Sequence, residues 1–393
     1  LRLNQNHLAI DRLEATYSDP RIDAIFAALL DRLRPDVVHV QHTIGLSIGL
    51  LRATRTAGVP LVMTLHDFWY HCPRGQRMTP RGHLCAEVQP WRCSLCIAGK
   101  RAAYADEWLG AYTRGESREA AGEGALRRGL LLLPRLGSYV AREGFRAPIL
   151  RRLGETREAL LCADRLLTPS QFLLERYVEQ GIPRERLELS ENGLDDAPFR
   201  EMGPRPARDP AARPVRFGFV GTLMPNKGPD LALRAFERLP RDGATLELYG
   251  SGAGPSGERY VQSLRSLTRH PGVAFRGSFD NRRIAEVLRG LDVLIVPSRW
   301  WENAPLTFHE AVMDRMPVVA AGHGGMAELA ERFGNALLFR PGDPDDLARV
   351  LRRFLDEPGL WTELVPRRAV RSVADDVDAQ LQRYAALIAA RSA

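Results

Sequence analysis

Lysine is nearly absent from this 393-residue chain, and long hydrophobic runs are missing. The two lysines are Lys100 and Lys227, so arginine carries almost all of the positive charge behind the net charge of +7. Such a compositional bias is weak evidence for a polyanionic partner, and we expect no nucleic-acid binding. No stretch approaches the ~18 apolar residues of a membrane span. Since no signal peptide is visible either, we expect a cytoplasmic protein.

Cysteine is scarce as well. Five cysteines are too few for the disulfide framework of a secreted protein of this length. Four of them cluster in one polar segment, namely Cys72, Cys85, Cys93 and Cys96. Because Cys93 and Cys96 have C-x2-C spacing, we predict that the four thiolates hold one structural zinc ion. A redox pair and two disulfides are the alternatives, and His71 or His83 could replace a cysteine as ligand.

The spacing of apolar runs predicts two α/β domains. Short strands alternate with helices in both halves of the chain, which is typical of parallel sheets. A Pro/Arg-rich linker separates the halves. The predicted ranges are a first domain at 1–199, with a cysteine-rich loop at 70–97 and a helical insertion at 98–162, the linker at 200–214, a second domain at 215–372, and a final helix at 373–393.

One stretch of the second domain combines two strands with two polar loops. The strand at 293–296 leads to a loop with Glu302 and a helix with Glu310, and the strand at 317–321 leads to Gly324-Gly325. Doubly wound sheets bind ligands where such strands end, and helix N-termini there suit phosphate. Two glutamates suit hydroxyls instead. Phosphate beside hydroxyls predicts a nucleotide or a sugar phosphate as ligand.

Lys227 lies between a strand and a helix in the sequence GTLMPNKG. The spacing is not that of a P-loop, which needs G-x-x-x-x-G-K-[ST]. A surface lysine would be the plain interpretation, but this chain uses arginine almost everywhere else. A lysine retained here favours a compact point charge directed at a diphosphate.

The spacing of Glu302 and Glu310, within PSRWWEN-P---HEA and followed by VVAAGHGGMAEL, resembles that of the retaining glycosyltransferases of family 4. The resemblance extends from about Pro35 to Leu355. It implies the GT-B fold, in which two Rossmann-like doubly wound parallel-sheet domains face a cleft. Compared with the family, the chain lacks the first βα units, so we expect its first domain to be incomplete.

The family resemblance also assigns roles to residues. Lys227 would bind the diphosphate, Glu302 the donor sugar and Glu310 the ribose. His66, at the end of a strand in the first domain, would line the donor sugar. Thr222 stands where the family usually has an arginine, and Arg299 is a candidate replacement. The remaining expected donor contacts are Gly221, Asn303, Ala304, Pro305, Leu306, Gly324, Gly325 and Glu328.

The implied reaction moves a hexose-type sugar from a UDP- or GDP-sugar to a glycan or lipid-linked acceptor hydroxyl, with retention and without a catalytic metal. The alternatives are an epimerase or phosphorylase of the same fold and a non-catalytic nucleotide-sugar-binding module. Peripheral contact with an anionic membrane is a further hypothesis. It depends on Leu130 to Leu133, Ile149 and Leu150, which are interleaved with arginines. The alternative for this segment is a helical insertion that packs on its own domain.

Overall fold

A computed structural model describes residues 13–98 and 146–392 of the chain. The described part forms two parallel β-sheets with helices between the strands. The strands are β1 (Val38–Val40), β2 (Leu61–Thr64), β3 (Arg165–Thr168), β4 (Leu187–Leu189), β5 (Val215–Val220), β6 (Ala244–Tyr249), β7 (Val273–Gly277), β8 (Val293–Val296), β9 (Val318–Ala321) and β10 (Ala336–Phe339).

Helices precede, connect or follow these strands. They are α1 (Pro20–Leu33), α2 (Gly49–Thr56), α3 (Pro90–Ala98), α4 (Ala147–Leu160), α5 (Gln171–Val178), α6 (Ala197–Glu201), α7 (Pro229–Phe236), α8 (Gly254–Leu267), α9 (Ile284–Arg289), α10 (Leu306–Met313), α11 (Gly324–Phe333), α12 (Pro344–Asp356), α13 (Leu360–Glu363) and α14 (Val373–Ser392). In this part of the chain no helix is both long and apolar enough to cross a membrane.

The two sheets differ in size and strand order. The first has four strands in the order β1-β2-β3-β4, and the second has six in the order β10-β9-β8-β5-β6-β7. In the second sheet the order reverses between β5 and β8, which are parallel neighbours. A doubly wound sheet opens a crevice beyond the carboxyl ends of its strands at such a switch point. The loops after β5 and β8 therefore define where a ligand should bind.

The core of the second sheet explains why these strands form. β8 and β9 are buried along their whole length, as continuous apolar strands with helices on both faces must be. On one side Phe217 of β5 packs edge-on against Phe236 of α7 and Phe354 of α12. This packing fixes the strand ends from which the site loops emerge.

The described chain divides into two compact units. The first comprises the described residues of Leu1–Leu167, together with Gln180–Arg186 and Leu387–Ala393. The second comprises Thr168–Glu179 and Leu187–Ala386.

Most of the predicted elements are present in the structure. The strand expected at 293–296 coincides with β8, and the final helix expected at 373–393 corresponds to α14. Some elements were missed. The segment at 70–97, expected to be irregular, contains α3, and β10 was not predicted. The strand β10 is only partly buried along its length, so its sequence lacks the continuous apolar run of β8.

Candidate functional site

The loops after β5 and β8 lie side by side and are hydrogen-bonded to each other. The backbone N–H of Arg299 donates to the carbonyl of Asn226 at 2.8 Å. Gly228 has a φ of +71°, and a Cβ there would lie 2.1 Å from the carbonyl oxygen of Pro297. A side chain at 228 would therefore separate the loops, which explains the glycine after Lys227.

This contact brings Lys227 and Glu302 together. The Nζ atom of Lys227 donates to Oε1 of Glu302 at 2.6 Å, and the hydroxyl of Ser298 donates to the same oxygen at 2.8 Å. The ammonium also lies 5.3 Å from the centre of the Trp300 ring, a cation–π distance. Two residues that were predicted from separate motifs thus form one charged group at the switch point.

The Gly324-Gly325 pair packs against the backbone of the loop that carries Glu302. The N–H of Gly325 donates to the carbonyl of Glu302 at 2.7 Å. A Cβ at position 325 would lie 1.5 Å from the carbonyl oxygen of Asn303, so no other residue fits without moving the loop. In this structure Gly325 makes a close backbone contact with the loop and thereby fixes the position of Glu302.

The start of α10 presents unpaired backbone donors. Pro305 is the N-cap, and its carbonyl accepts the N–H of Phe308 at 3.1 Å. The N–H groups of Leu306 and Thr307 donate to no acceptor within residues 13–98 and 146–392. Free N–H groups with the positive end of a helix dipole suit a phosphate group. Proline at 305 removes one donor that another residue would have supplied.

Glu310 lies one helical turn further into α10 and is 9% exposed. Within the described chain its carboxylate accepts no hydrogen bond, and burial raises its pKa to about 7. A buried carboxylate without donors is costly. Two hydroxyl donors from a ligand would remove this cost, and the ribose of a nucleotide carries such a pair.

Arg299 and Thr222 do not provide a second clamp on a diphosphate. The guanidinium of Arg299 contacts both oxygens of Asp230, at 2.5 and 2.6 Å, and the carbonyl of Pro225 at 3.0 Å. Burial alone would raise the pKa of Asp230, but Arg299 holds it below its usual value. A diphosphate would have to break this bidentate pair to reach Arg299. Thr222 itself is exposed.

Glu328, a predicted donor contact, hydrogen-bonds the backbone of a helix in this structure. Its two oxygens accept the N–H groups of Gln171 and Phe172 at 2.9 and 2.8 Å. These are the first residues of α5, whose N-cap Ser170 accepts the N–H of Leu173. Glu328 therefore caps a helix, and the carboxylate is occupied by backbone donors.

Gly221 and Gly250 directly follow β5 and β6 at the carboxyl edge of the second sheet. A Cβ on Gly250 would lie 1.9 Å from the carbonyl of Gly221. Both have φ in the range that side chains rarely adopt, +148° and +135°. The two strand ends therefore approach closely next to Lys227.

His66 belongs to the first unit. Its Nε2 lies 2.9 Å from the amide oxygen of Gln41, at the carboxyl ends of β1 and β2. Burial, and then the nearby His42, lowers its pKa. The imidazole is therefore neutral at pH 7, as a hydrogen-bonding residue should be.

The predicted zinc site is not confirmed by the structure. Among the described residues, which include Cys72, Cys85, Cys93 and Cys96, no group of three His, Cys, Asp or Glu side chains is placed to hold a metal ion. Burial, and then the charges of the other three cysteines, raises the pKa of Cys93 to about 12, so the thiols are near one another. The C-x2-C pair lies on the helix α3 rather than in a turn. The spacing alone could not distinguish these two geometries.

Three residues of the site were missed by the sequence analysis. Ser298 hydrogen-bonds Glu302, Trp300 contacts Lys227, and His323 donates from Nε2 to the carbonyl of Ser298 at 3.0 Å. Each lies within the motifs that were recognised. For Ser298 the available signal was its position two residues after the buried strand β8, since strand ends face the crevice.

The proposed membrane segment is only partly described. Leu130 to Leu133 lie outside the described residues. Ile149 is 1% exposed on α4, so it packs inside the protein and cannot face lipid, contrary to our expectation. Leu150 on the same helix is exposed.

Two parallel sheets, the second with a helix N-terminus and two glutamates at its switch point, form the architecture of the GT-B fold. Solved structures agree on the fold. A glycosyltransferase from Rickettsia africae superposes with a TM-score of 0.61 at 13% identity, over 99% of this chain and 84% of that one. Anabaena HepE in complex with UDP superposes at 0.57 and 17% identity, over 95% and 81%.

Sequence comparison gives the family. The model for glycosyl transferases group 1 matches residues 206–369, and the model for glycosyltransferase family 4 matches residues 12–98. The chain belongs to the family 4 glycosyltransferases, as its motifs predicted.

The chain spans about half the length of the curated relatives that it matches. A D-inositol 3-phosphate glycosyltransferase of Acidothermus cellulolyticus is 34% identical over 229 residues, 55% of this chain and 50% of that protein. One from Mycolicibacterium smegmatis is 31% identical over 255 residues, 60% of this chain and 56% of that protein.

Proposed function

We propose that this chain transfers a sugar from a nucleotide diphosphate sugar to an acceptor hydroxyl, with retention of anomeric configuration. The observation that carries the proposal is the arrangement at the switch point. A lysine, free helix N–H groups and a buried carboxylate without donors meet there, which matches a diphosphate beside a ribose. Anabaena HepE, which shares the fold, was crystallised with UDP and with UDP-glucose. UDP-sugars are therefore the first donors to test.

Each group has a distinct role in this proposal. Lys227 and the N–H groups of Leu306 and Thr307 stabilise the negative charge that develops on the leaving diphosphate. They supply positive charge that a metal ion would otherwise provide, so we expect transfer in the presence of a chelator. Glu310 accepts the ribose hydroxyls. Glu302 orients the sugar by accepting one of its hydroxyls.

A screen of nucleotide sugars tests the proposal. UDP- and GDP-sugars are incubated with the protein, with and without candidate acceptors, and the released nucleoside diphosphate is measured. We expect release that increases with an acceptor and persists in EDTA. Binding without any release would instead favour a non-catalytic binding module. Interconversion of the sugar without transfer would favour an epimerase.

NMR of the product tests the stereochemical part. Retention predicts the same anomeric configuration in product and donor, and inversion would contradict the proposed mechanism while leaving the donor site intact.

The acceptor is proposed to be a glycan or a lipid-linked hydroxyl. An exposed Leu150 next to the exposed Arg151 supports a peripheral contact with an anionic bilayer. Co-sedimentation with anionic and neutral liposomes at low salt measures this contact. Equal recovery with both, or none with either, would remove the membrane part of the proposal.

A further inference from the structure

The ammonium of Lys227 already has a counter-ion in this structure. The Lys227 side chain is 30% exposed and that of Glu302 is 8% exposed, so their 2.6 Å contact is screened from bulk water on the carboxylate side. The indole of Trp300 covers a further direction of approach at 5.3 Å. The positive charge proposed for the diphosphate is therefore neutralised before any ligand arrives.

The loops hold this ion pair in place. The N–H of Arg299 is bonded to the carbonyl of Asn226, next to Lys227. The hydroxyl of Ser298 donates to Oε1 of Glu302, the same oxygen that Lys227 contacts. The ammonium of Lys227 and the hydroxyl of Ser298 therefore approach one oxygen from fixed backbone positions. Within the described chain the second oxygen, Oε2, accepts no hydrogen bond and is available to a sugar hydroxyl.

We propose that Glu302 is the resident counter-ion of Lys227 and competes with the diphosphate for it, so that this carboxylate lowers the affinity of the site for the free nucleoside diphosphate. The inference rests on the proposed donor site. With a sugar attached, a hydroxyl donates to Oε2 and offsets the repulsion between carboxylate and diphosphate. After transfer the hydroxyl donor is lost, Glu302 pairs with Lys227 again, and the diphosphate leaves more readily. The residue would thus act in product release as well as in sugar binding.

Calorimetric titration with UDP, and with GDP in parallel, tests this role. Glu302→Gln keeps the shape and the Ser298 contact but removes the negative charge. We expect it to bind the nucleoside diphosphate about tenfold more tightly than the wild type, the lower end of the coupling measured for close charge pairs. In a Lys227→Ala background the same substitution should give a smaller gain, because only the direct repulsion between the carboxylate and the diphosphate is then removed.

Glu286→Gln is the matched control, because it also removes one negative charge, but from an exposed pair with Arg283 outside the site. Its affinity for UDP should stay within about twofold of the wild type, since exposed ion pairs are screened by water. Circular dichroism and thermal melting of all variants check that they fold.

The outcomes separate this inference from the proposed function. If the wild type binds UDP or GDP and Glu302→Gln binds it equally or less tightly, Glu302 is not a competing counter-ion. An undiminished gain in the Lys227→Ala background, or an equal gain in Glu286→Gln, would overturn it as well. If the folded wild type binds neither nucleotide, the proposed donor site fails and this inference fails with it.

Discussion

The carboxyl edges of the two sheets carry different chemistry. After β1 and β2 lie imidazoles, an amide and a carboxylate. The amide oxygen of Gln41 is 2.9 Å from Nε2 of His66, and an oxygen of Asp67 is 3.4 Å from Nε2 of His42. After β5 and β8 stand a lysine and a carboxylate in direct contact. Both edges come from the same parallel-sheet architecture, so the architecture does not decide the chemistry.

The difference shows what each edge can bind. An edge built from imidazoles, an amide and the Asp67 carboxylate can recognise hydroxyls but gives little stabilisation to an anion. An edge with a lysine and a helix N-terminus stabilises an anion strongly, and it must be neutralised when the anion is absent. Glu302 performs that neutralisation here. We therefore expect substitutions at the edge that carries Lys227 to have large effects and substitutions at the edge that carries His66 to have smaller ones.

The largest effect is expected from Lys227→Ala. The variant loses the charge that stabilises the leaving diphosphate, so kcat should fall by about 10²-fold or more, as for other preorganised charge stabilisers. Steady-state assay of nucleotide release measures it. Arg282→Ala, which removes a positive charge from an 89% exposed side chain, is the control and should retain wild-type turnover. Equal turnover in the two variants would exclude Lys227 from the reaction.

The second effect concerns the pH dependence of donor binding through Glu310. Burial raises the pKa of this carboxyl to about 7 in the free protein, and ribose hydroxyls bind its charged form. Binding therefore requires loss of a proton as pH falls below 7, so affinity is highest above pH 7. We expect the Kd for a nucleotide sugar to rise about tenfold from pH 8 to pH 6.

Glu310→Gln is the control for this experiment, because it cannot ionise but shares any titration of the ligand. The variant should bind more weakly at pH 8 and show a flat profile. A wild-type profile as flat as that of the variant would show that Glu310 does not contact the donor.

A smaller effect is expected at the edge of the first sheet, which carries His66. The resemblance implies that His66 contacts a sugar hydroxyl, and a neutral hydrogen bond contributes about 1 kcal/mol. His66→Ala should therefore lower kcat/KM about fivefold. Since its pKa is lowered by burial, the ratio of variant to wild type should not change between pH 7 and pH 8. A loss as large as that of Lys227→Ala would contradict the contrast between the edges.

The smallest effect on the reaction is expected from Glu328. It caps α5, so Glu328→Ala should lower the free energy of unfolding by about 1 kcal/mol, the usual cost of a lost cap. Urea denaturation measures this change. The Kd for UDP should stay within about twofold of the wild type. A tenfold loss of donor affinity at unchanged stability would restore Glu328 as a donor contact.

Sequence reasoning worked well where a strong periodic signal met a recognised motif. The strand β8 is wholly apolar and ends at a proline, so its bounds were predicted to the residue. Lys227, Glu302 and Glu310 were singled out because each follows or flanks such an element. The helix α3 was missed because prolines, cysteines and polar residues obscure its periodicity. The zinc site predicted in the same segment, where no sheet constrains the loop, stays a prediction.

By itself the sequence determined the fold class, the family and the identity of the charged residues, because these depend on local patterns of two to fifteen residues. Tertiary structure decided which of these residues are paired. Lys227 and Glu302 lie 75 positions apart and meet because β5 and β8 are neighbours at the switch point. Two predicted donor contacts have partners that are distant in sequence: Glu328 accepts the N–H of Gln171, and Arg299 donates to Asp230. Pairing of this kind depends on strand order and loop packing, and the sequence pattern carries neither.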